Sequence, residues 1–422
     1  MKKDTRSKVF YGYIVVAASF FILIVMHGIF ATYGVFFSSL QNGLGLSRAA
    51  VSGGHSVAFF LEGLFAIIVG RLTDKFGPRL VMSACGVIFA LGYILTSQVE
   101  NMWQLYIVYP ILVGIGVSAG NVTLLSTVTR WFARRRGLMT GVIKAGTGAG
   151  IFILPVVASW LITTYDWRTA YVVLSIIGLI GIVATAQFLK RDPAQMGLQP
   201  YGMYDANGNT SKVNESVQLS LGEAMHTYQF WAACAAYFII WYTTQSIMVH
   251  IVTYGTDGGI SVTQASSIMS VLGAVSIAGR LAMGSTGDRL GNRRALIICF
   301  IILLVSMAWL QVAKGLPMLL IFAIVYGFAH GGFFALMSPL VAELFGTKSH
   351  GVNFGMLLFI AGIGGGVGPA VTGYIFDVTH SYQLAFFILM IVTAGALLLS
   401  IMKIKPVKVS ELTAATRYNT LT

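Results

Sequence analysis

The sequence predicts an all-α membrane protein of twelve transmembrane helices, arranged as two pseudo-symmetric six-helix bundles. Three observations support this fold class. The 422 residues are 56% hydrophobic and only 10% charged, whereas charged residues approach about a quarter of a soluble chain. The apolar residues come in stretches of about twenty, long enough as helices to cross a hydrocarbon core of about 30 Å. A motif and its spacing also recur in the second half of the chain, which predicts a duplicated unit.

Twelve apolar stretches are predicted to be helices, since lipid offers no hydrogen-bond partner to free backbone groups. The predicted spans are 10–38, 50–72, 80–97, 102–128, 138–163, 168–189, 229–252, 264–285, 295–312, 317–341, 352–375 and 382–402. Span 1 is too long for the apolar core of a signal peptide, so it is predicted to stay in the protein.

One long polar segment separates the first six spans from the last six. Residues 190–226 are rich in Pro, Gly and Asn and show no helical periodicity, which is typical of a linker. The predicted organisation is a first bundle in residues 1–189, a cytoplasmic linker in 190–226, and a second bundle with a short cytoplasmic tail in 227–422.

The basic residues lie on alternate loops. If both termini are on one side, 22 of the 27 Lys and Arg lie on that side, and only Arg48, Arg168 and Lys314 lie on the other. The positive-inside rule then predicts cytoplasmic termini, and we expect a bacterial inner membrane. This placement argues against a nucleic-acid partner despite the net charge of +13.

The three cysteines lie in apolar stretches without metal-ligand spacing, so we expect packing residues, no metal and no cofactor.

The repeated motif reads "GRLTDKFGPR" from Gly70 to Arg79 and "GSTGDRLGNR" 214 positions later. The same offset relates Gly137 to Gly351. Parallel repeats of this kind are typical of one class of secondary transporters, whose substrate site lies near the midplane between the halves. We interpret the motif as a short cytoplasmic turn that latches the two halves together, with an anchored loop as the alternative. The candidate latch residues are Gly70, Asp74, Arg79, Asp288 and Arg293.

Two further patterns favour contacts with lipid and between helices. The segment "RWFARRRG" has four cations within seven residues and is predicted to contact anionic lipid headgroups. Glycines cluster in spans 5 and 11, where small residues let helices approach closely and slide. Close packing without motion is the alternative interpretation. A nucleotide-binding loop is rejected, because no Lys-Ser/Thr pair accompanies these glycines.

Ionisable residues at membrane depth are the candidates for a functional site, because each is costly to place there. Arg280 lies inside span 8, and its guanidinium keeps its charge and can bind a carboxylate with two parallel hydrogen bonds. The alternative is a structural salt bridge to Glu62, the acid that lies deepest in the first bundle. Lys144 in span 5 is a second candidate, for binding an anion or exchanging a proton, or for pairing with Glu62. Asn121 in span 4 could donate to a carboxylate.

Four histidines lie in or at the ends of spans, and histidine titrates near physiological pH. Each could therefore couple protons to another event, or could be a packing residue. These residues are His27, His55, His250 and His330. No pair has metal-ligand spacing, and no catalytic set of residues indicates an enzyme.

Together these residues resemble the major facilitator superfamily along the whole chain. The sequence is similar to its monocarboxylate transporters and to the bacterial oxalate/formate exchangers, through "FYGYIVV", "GVFF", "RWFARRRGLMTG", "AELFG" and Arg280 eight residues before Asp288. The resemblance implies a lactate- or pyruvate-like anion bound by Arg280 and usually moved with a proton. It also implies that the cavity is lined by His27, Asn121, Lys144, His330 and Phe334.

Two departures from the family pattern matter. Animal monocarboxylate carriers have an acid one turn before the arginine, where this chain has Ser276, and a lysine late in span 1, where it has Ala31. Oxalate exchangers have a second cation in span 11, near Ala361 here. Lys144 could supply that second charge from another helix.

The sequence therefore predicts a secondary transporter of a small monocarboxylate, acting as a monomer in the bilayer by alternating access. A membrane sensor that binds the anion without moving it is the weaker interpretation, because it would need a signalling domain or a long tail. Proton symport is the favoured mode, with His250, His330 and Lys144 as the coupling candidates. An anion exchanger or a dicarboxylate carrier is the alternative.

Overall fold

The computed structural model describes residues 10–46, 48–203 and 218–404, and within them all twelve predicted spans are helical. The spanning helices are α1 Tyr11–Leu44, α2 Arg48–Phe76, α3 Pro78–Thr96, α4 Met102–Trp131, α5 Arg136–Thr164, α6 Trp167–Ala186, α7 Tyr228–Asp257, α8 Val262–Leu290, α9 Asn292–Leu310, α10 Gly315–Phe345, α11 His350–Thr379 and α12 Gln383–Met402. The N-terminal tail, residues 204–217 and the C-terminal tail, which hold several of the counted cations, lie outside the described residues.

Two of the helices contain local irregularities. The first half of α1 ends at Ala31 and the helix restarts at Tyr33. In α4, a π-helical segment Tyr109–Val113 follows Met102–Val108, and Pro110 within it has no N–H to donate. Both features lie in the first bundle and leave the helices long enough to span a bilayer.

The repeated motif is mostly helical, and the chain turns only near its end, at Gly77 and Pro78 in the first copy, as predicted. Helix α2 continues to Phe76 and α8 to Leu290, which places Asp74 and Asp288 on the last turns of these helices. The chain reverses at a single glycine in each copy, Gly77 with φ 86° and Gly291 with φ 90°. Only glycine adopts this backbone conformation without a steric penalty. We call the side of the molecule where these two turns lie the motif side.

The described parts of the linker are attached to both bundles. Tyr201 donates its backbone N–H to Trp131 O at 2.9 Å, and Leu219 donates to Phe345 O at 3.0 Å. Two short helices, Pro193–Met196 and Leu221–Met225, lie within it, although the composition had indicated no helix. The second begins with a capping box formed by Ser220 and Glu223.

The two halves of the chain contact each other most extensively along two helix pairs, α2 with α11 and α5 with α8, and also where α10 meets α4 and α5 and where α11 meets α4. On the motif side the backbones approach closely: a Cβ at Gly137 would collide with the carbonyl of Gly284, and one at Gly70 with the carbonyl of Gly351. Glycines allow such an approach because they carry no side chain. Most of the clustered glycines of spans 5 and 11 serve close packing within their own half instead. Gly141 meets the carbonyl of Arg280 across the contact, whereas Gly146 and Gly150 pack on α1, and Gly364 and Gly368 pack on α7.

Away from the motif side, α5 and α8 separate. A Cβ at Gly148 would lie 3.3 Å from Arg280 Nη1. Phe152 lies on the same face of α5 one turn further on, and it is 80% exposed. On α8, a Cβ at Gly273 would meet open space. The halves therefore form a cleft that is closed on the motif side and widens toward the opposite side.

Candidate functional site

Arg280 lies in the middle of the contact between the halves. Its side chain is buried, and Nη1 donates to the backbone carbonyl of Lys144 on α5 at 2.7 Å. Its Nε is buried and has no hydrogen-bond partner. Among the described residues, no carboxylate forms an ion pair with this guanidinium. The expected alternative, a salt bridge between Arg280 and Glu62, is therefore not present in the described part of the chain.

A polar network lies beside Arg280 in the first bundle. Lys144 Nζ donates to Asn121 Oδ1. Asn121 Nδ2 donates to Glu62 Oε1 at 3.1 Å and lies 3.4 Å from His27 Nε2. Asn121 thus connects the only lysine and the only acid at this depth among the described residues, and the two charges do not touch directly.

An aromatic wall from the second bundle faces this network. The ring of Phe334 lies 5.6 Å from Lys144 Nζ, a distance at which a cation is attracted to an aromatic face. The ring centres of Phe334 and His330 are 5.0 Å apart, and those of Phe334 and Trp241 are 5.7 Å apart. His330 Nδ1 and Trp241 Nε1 are both buried without a hydrogen-bond partner. Buried polar nitrogens normally have partners, so these two offer unused hydrogen-bonding capacity to a ligand.

A small cavity joins the two walls. It is lined by Phe59, Glu62, Gly63, Ala66, Ser118 and Asn121 from the first half, and by Trp241, Leu358 and Gly362 from the second. Sequence reasoning missed Trp241 as a site residue. Its position in an apolar helix gave no signal beyond the indole N–H, which usually finds a partner when it is buried.

Six of the predicted site residues come together in this region. They are Arg280, Lys144, Asn121, His27, His330 and Phe334. His250 does not join them in this structure. It lies nine residues beyond Trp241 on α7, about 13 Å along the helix axis. Its ring nitrogens instead lie 3.0 Å from Pro369 O and 3.3 Å from the Tyr382 hydroxyl.

His55 is also outside this region. Its ring stacks against Tyr33 and packs against Phe30, each with ring centres 4.8 Å apart. This arrangement fits the packing alternative for His55 rather than a role in proton coupling.

Two carboxylates connect the halves on the motif side. Asp74 at the end of α2 accepts hydrogen bonds from Gly351 N at 3.1 Å and Val352 N at 3.0 Å. Asp288 at the end of α8 accepts from Gly137 N at 2.7 Å and Leu138 N at 2.9 Å. Each acid thus caps the first turn of a helix in the other half, where free N–H groups and the helix dipole favour a negative charge. We call these the Asp74 cap and the Asp288 cap.

The cations of the motif do not contribute to these caps, contrary to the latch prediction. Arg79 Nε donates to Gln187 Oε1 at 2.7 Å, and Arg293 donates to the carbonyls of Ser400 and Ile401. Each therefore binds the last helix of its own half. The cation that does pair with a cap is Arg130, which forms an ion pair with Asp74.

The prediction that "RWFARRRG" contacts lipid headgroups is wrong for its first cation. Arg130 is buried and also donates to Lys348 O at 3.4 Å. Arg136 Nε donates to the carbonyls of Phe132 and Thr129. Arg134 and Arg135 are exposed, and a contact with lipid stays a prediction for these two.

Comparison with known families agrees with this architecture. The family model described as Major Facilitator Superfamily matches residues 19–258 and, in a second match, residues 230–419. The chain belongs to the Major Facilitator Superfamily. It is therefore a membrane transporter and not an enzyme, and its twelve helices have the major facilitator fold.

Relatives support the expected subgroup within the superfamily. Monocarboxylate transporter 13 of Rattus norvegicus is 28% identical over 396 residues, which cover 92% of this chain and 87% of the relative. The uncharacterized MFS-type transporter YhjX of Escherichia coli is 27% identical over 304 residues, which cover 70% of this chain and 72% of the relative. The structure of the E. coli fucose:proton symporter FucP superposes with a TM-score of 0.71 over 94% of this chain and 99% of that chain. At 15% identity, this last likeness concerns the fold alone.

Proposed function

We propose that this transporter carries a small monocarboxylate, of the size of lactate or pyruvate, together with a proton. The observation that carries the proposal is the buried guanidinium of Arg280, which has no acidic partner among the described residues and an unused Nε. A buried charge without a counter-ion is costly. A substrate carboxylate would supply the missing counter-ion and accept two parallel hydrogen bonds.

The neighbours of Arg280 suit a small anion with an apolar body. Lys144, Asn121 and His27 line the side of the first bundle, and His330 and Phe334 line the side of the second. The aromatic rings can cover a short carbon chain, while the polar groups hold its carboxylate or hydroxyl. We include all five with Arg280 in the substrate site, with His330 and Lys144 as groups that could exchange a proton.

The transport cycle would use the two bundles as rigid units, residues 1–189 and 227–422, that rock about this site. In the arrangement seen here, the Asp74 cap and the Asp288 cap hold the motif side closed. Breaking both caps would open that side and close the other. We propose that the motif side faces the cytoplasm of a bacterial cell, because the topology predicted from the sequence puts 22 of the 27 Lys and Arg on that side. We also propose that the monomer suffices for transport.

The experiment uses purified protein in detergent and in liposomes. We expect lactate or pyruvate to raise the melting temperature of the wild type in a thermal-shift screen of mono- and dicarboxylates, and to leave that of Arg280→Ala unchanged. In liposomes, an imposed pH gradient should drive accumulation of the stabilising carboxylate. The absence of stabilisation by any carboxylate, or an equal response of the variant, would refute the role of Arg280.

The alternative is an exchanger or a dicarboxylate carrier. The observation that favours it is the position of Lys144. Its backbone carbonyl accepts a hydrogen bond from Arg280, and its ammonium could bind a second carboxylate. The same screen separates the two, since a dicarboxylate carrier would be stabilised more by oxalate or malonate than by lactate. Exchange without symport would show as counterflow that an imposed pH gradient does not affect.

A further inference from the structure

Glu62 is the one acid among the described residues that lies in the middle of the spans and faces the cleft. It lines the same cavity as Trp241 and Gly362 of the second half. Its carboxylate accepts a hydrogen bond from Asn121 Nδ2 at 3.1 Å. An acid is costly at this depth, and Glu62 makes no direct ion pair with a described residue.

The amide of Asn121 couples Glu62 to the cations. The ammonium of Lys144 has hydrogens to donate and no acceptor, so it must face the amide oxygen, as it does here. The amide nitrogen therefore faces Glu62 and requires an acceptor there, a role that the ionised carboxylate fills. Lys144 in turn accepts a hydrogen bond from Arg280 through its backbone carbonyl. A change of charge at Glu62 is thus transmitted to Lys144 and to the neighbourhood of Arg280.

No second acid faces Glu62 from the described helices around it. Helix α4 contributes Asn121, α7 contributes Trp241, and α11 contributes Leu358 and Gly362. The titratable and charged groups nearby are cations or bases: Lys144 on α5, His27 on α1 through Asn121, and Arg280 on α8. Glu62 is therefore the group of this cluster that becomes neutral when it binds a proton.

We propose that Glu62 is the proton-binding residue that couples substrate to proton movement, an inference that rests on the proposed symport. When Glu62 binds a proton from the cleft, its carboxyl group becomes neutral and gains an O–H that can donate to the amide oxygen of Asn121. The amide then turns its nitrogen toward Lys144, and two donors face each other. The ammonium of Lys144 leaves Asn121 and joins Arg280 in binding the substrate carboxylate.

The charges balance over the cycle. One proton enters on Glu62 with one monoanion on Lys144 and Arg280, and both leave to the other side, so the cluster has the same net charge empty and fully loaded. A proton alone leaves two cations without a counter-charge, and an anion alone competes with the Glu62 carboxylate for Lys144. Each ligand thus favours binding of the other, and such coupling is reciprocal. The two half-loaded states are the ones that the cluster disfavours.

The test compares two measurements on Glu62→Gln in liposomes with lactate as the probe. Counterflow, the exchange of labelled for unlabelled lactate at equal concentrations, requires binding and switching without net proton movement. A pH-sensitive dye inside the liposomes measures the protons that enter with lactate. We expect Glu62→Gln to retain counterflow and to lose the pH dependence of counterflow. We expect its proton entry to be at least tenfold slower than that of the wild type. Liposomes without protein give the passive background, and Glu100→Gln, an exposed acid in a loop, is the matched control and should keep both activities.

The outcomes separate the inference from the proposed function. Lactate counterflow by the wild type together with unchanged proton entry in Glu62→Gln overturns the inference and leaves carboxylate transport intact. A wild type that shows no counterflow with lactate or pyruvate overturns both. If Glu62→Gln loses counterflow as well, Glu62→Asp decides: an aspartate that restores both activities supports the proposal, and one that restores counterflow without proton entry contradicts it.

Discussion

The two bundles contribute unequally to the central site. In the first bundle, Lys144 and Glu62 are already matched to each other through Asn121. In the second bundle, Arg280 keeps a charged, buried Nε without a hydrogen-bond partner. His27 in the first bundle and Trp241 and His330 in the second each keep an unpaired ring nitrogen, so the bundles differ in charge. The difference teaches which bundle needs a ligand. The second bundle has an unmatched positive charge that a carboxylate can satisfy, whereas the first bundle has a balanced pair that can adjust to it.

The largest expected effect comes from Arg280, because it carries the unmatched charge. Arg280→Lys keeps the charge but loses the planar fork, and removing a partner from a buried charged pair costs about 2–5 kcal/mol. We expect the affinity for the carboxylate to fall by about 100-fold, since each 1.4 kcal/mol is about tenfold. Isothermal titration of the purified protein measures it.

Arg289→Lys is the matched control for this prediction. Arg289 lies on the same helix and is exposed, so this variant should bind like the wild type. An affinity of Arg280→Lys within about threefold of the wild type, which is under 1 kcal/mol, would show that the second bundle does not anchor the anion.

Lys144 should matter less, because its charge is already matched within the first bundle. Lys144→Gln leaves Glu62 as an uncompensated acid beside the site, and we expect an affinity loss of about tenfold, or about 1.4 kcal/mol. In the double variant with Glu62→Gln, the unmatched acid is also gone, and affinity should recover in part. A double-mutant cycle measured by titration gives this coupling energy. Strictly additive losses would mean that Lys144 and Glu62 do not act as a pair.

How much of this comparison could be predicted from sequence depends on the kind of residue. Arg280 and Lys144 were identified because a charged residue inside a long apolar stretch can be recognised in the sequence itself. The twelve helices could be predicted in the same way, from the length of the apolar stretches. The distance of His250 from the other candidates could not be predicted, because the sequence does not show which helices a histidine ring on α7 contacts. Trp241 was missed because its polar atom is a single N–H in an apolar run.

The contacts between the halves were harder to predict, because they join residues far apart in the chain. The repeat offset related Gly137 to Gly351 and Asp74 to Asp288, but it could not show that each acid caps a helix of the other half. The predicted latch combined the acids Asp74 and Asp288 with the cations Arg79 and Arg293, and in this structure the acids alone among these four connect the halves. The ion pair of Arg130 with Asp74 has no equivalent in the second copy, where the residue at the same offset is Leu344.

This asymmetry predicts that the two caps differ in strength. Asp74→Asn leaves Arg130 buried beside a neutral side chain, whereas Asp288→Asn mainly weakens two hydrogen bonds to backbone N–H groups. We expect both variants to open the motif side, and Asp74→Asn to do so more, by about 1–2 kcal/mol on the scale of charge-assisted hydrogen bonds. The labelling rate of a single cysteine introduced at Ser285, which is half-buried on α8 and lies beside Arg134 and Leu138 of the first half, reports the opening.

The control for the caps is an acid that caps a helix within its own half. Asp166 accepts from Thr169 N at 2.9 Å at the start of α6, and Asp166→Asn should leave the labelling rate unchanged. Equal rates for Asp74→Asn and Asp288→Asn would indicate that the ion pair with Arg130 adds nothing to the closure.

The smallest expected effect concerns the histidines, and it compares His330 in the central site with His250, whose ring is bonded within the second bundle. His330→Gln replaces a ring that packs on Phe334 and carries an unused nitrogen, so it should weaken binding by about threefold to tenfold, the value of about one hydrogen bond. His250→Gln changes a ring already bonded to Pro369 and Tyr382, so its affinity should stay that of the wild type. Titration of both variants with the same carboxylate measures the contrast. If His250→Gln weakened binding more than His330→Gln did, the site would have to lie nearer the opposite side of the molecule and away from Arg280. This follows because the two histidines lie on different helices at different depths.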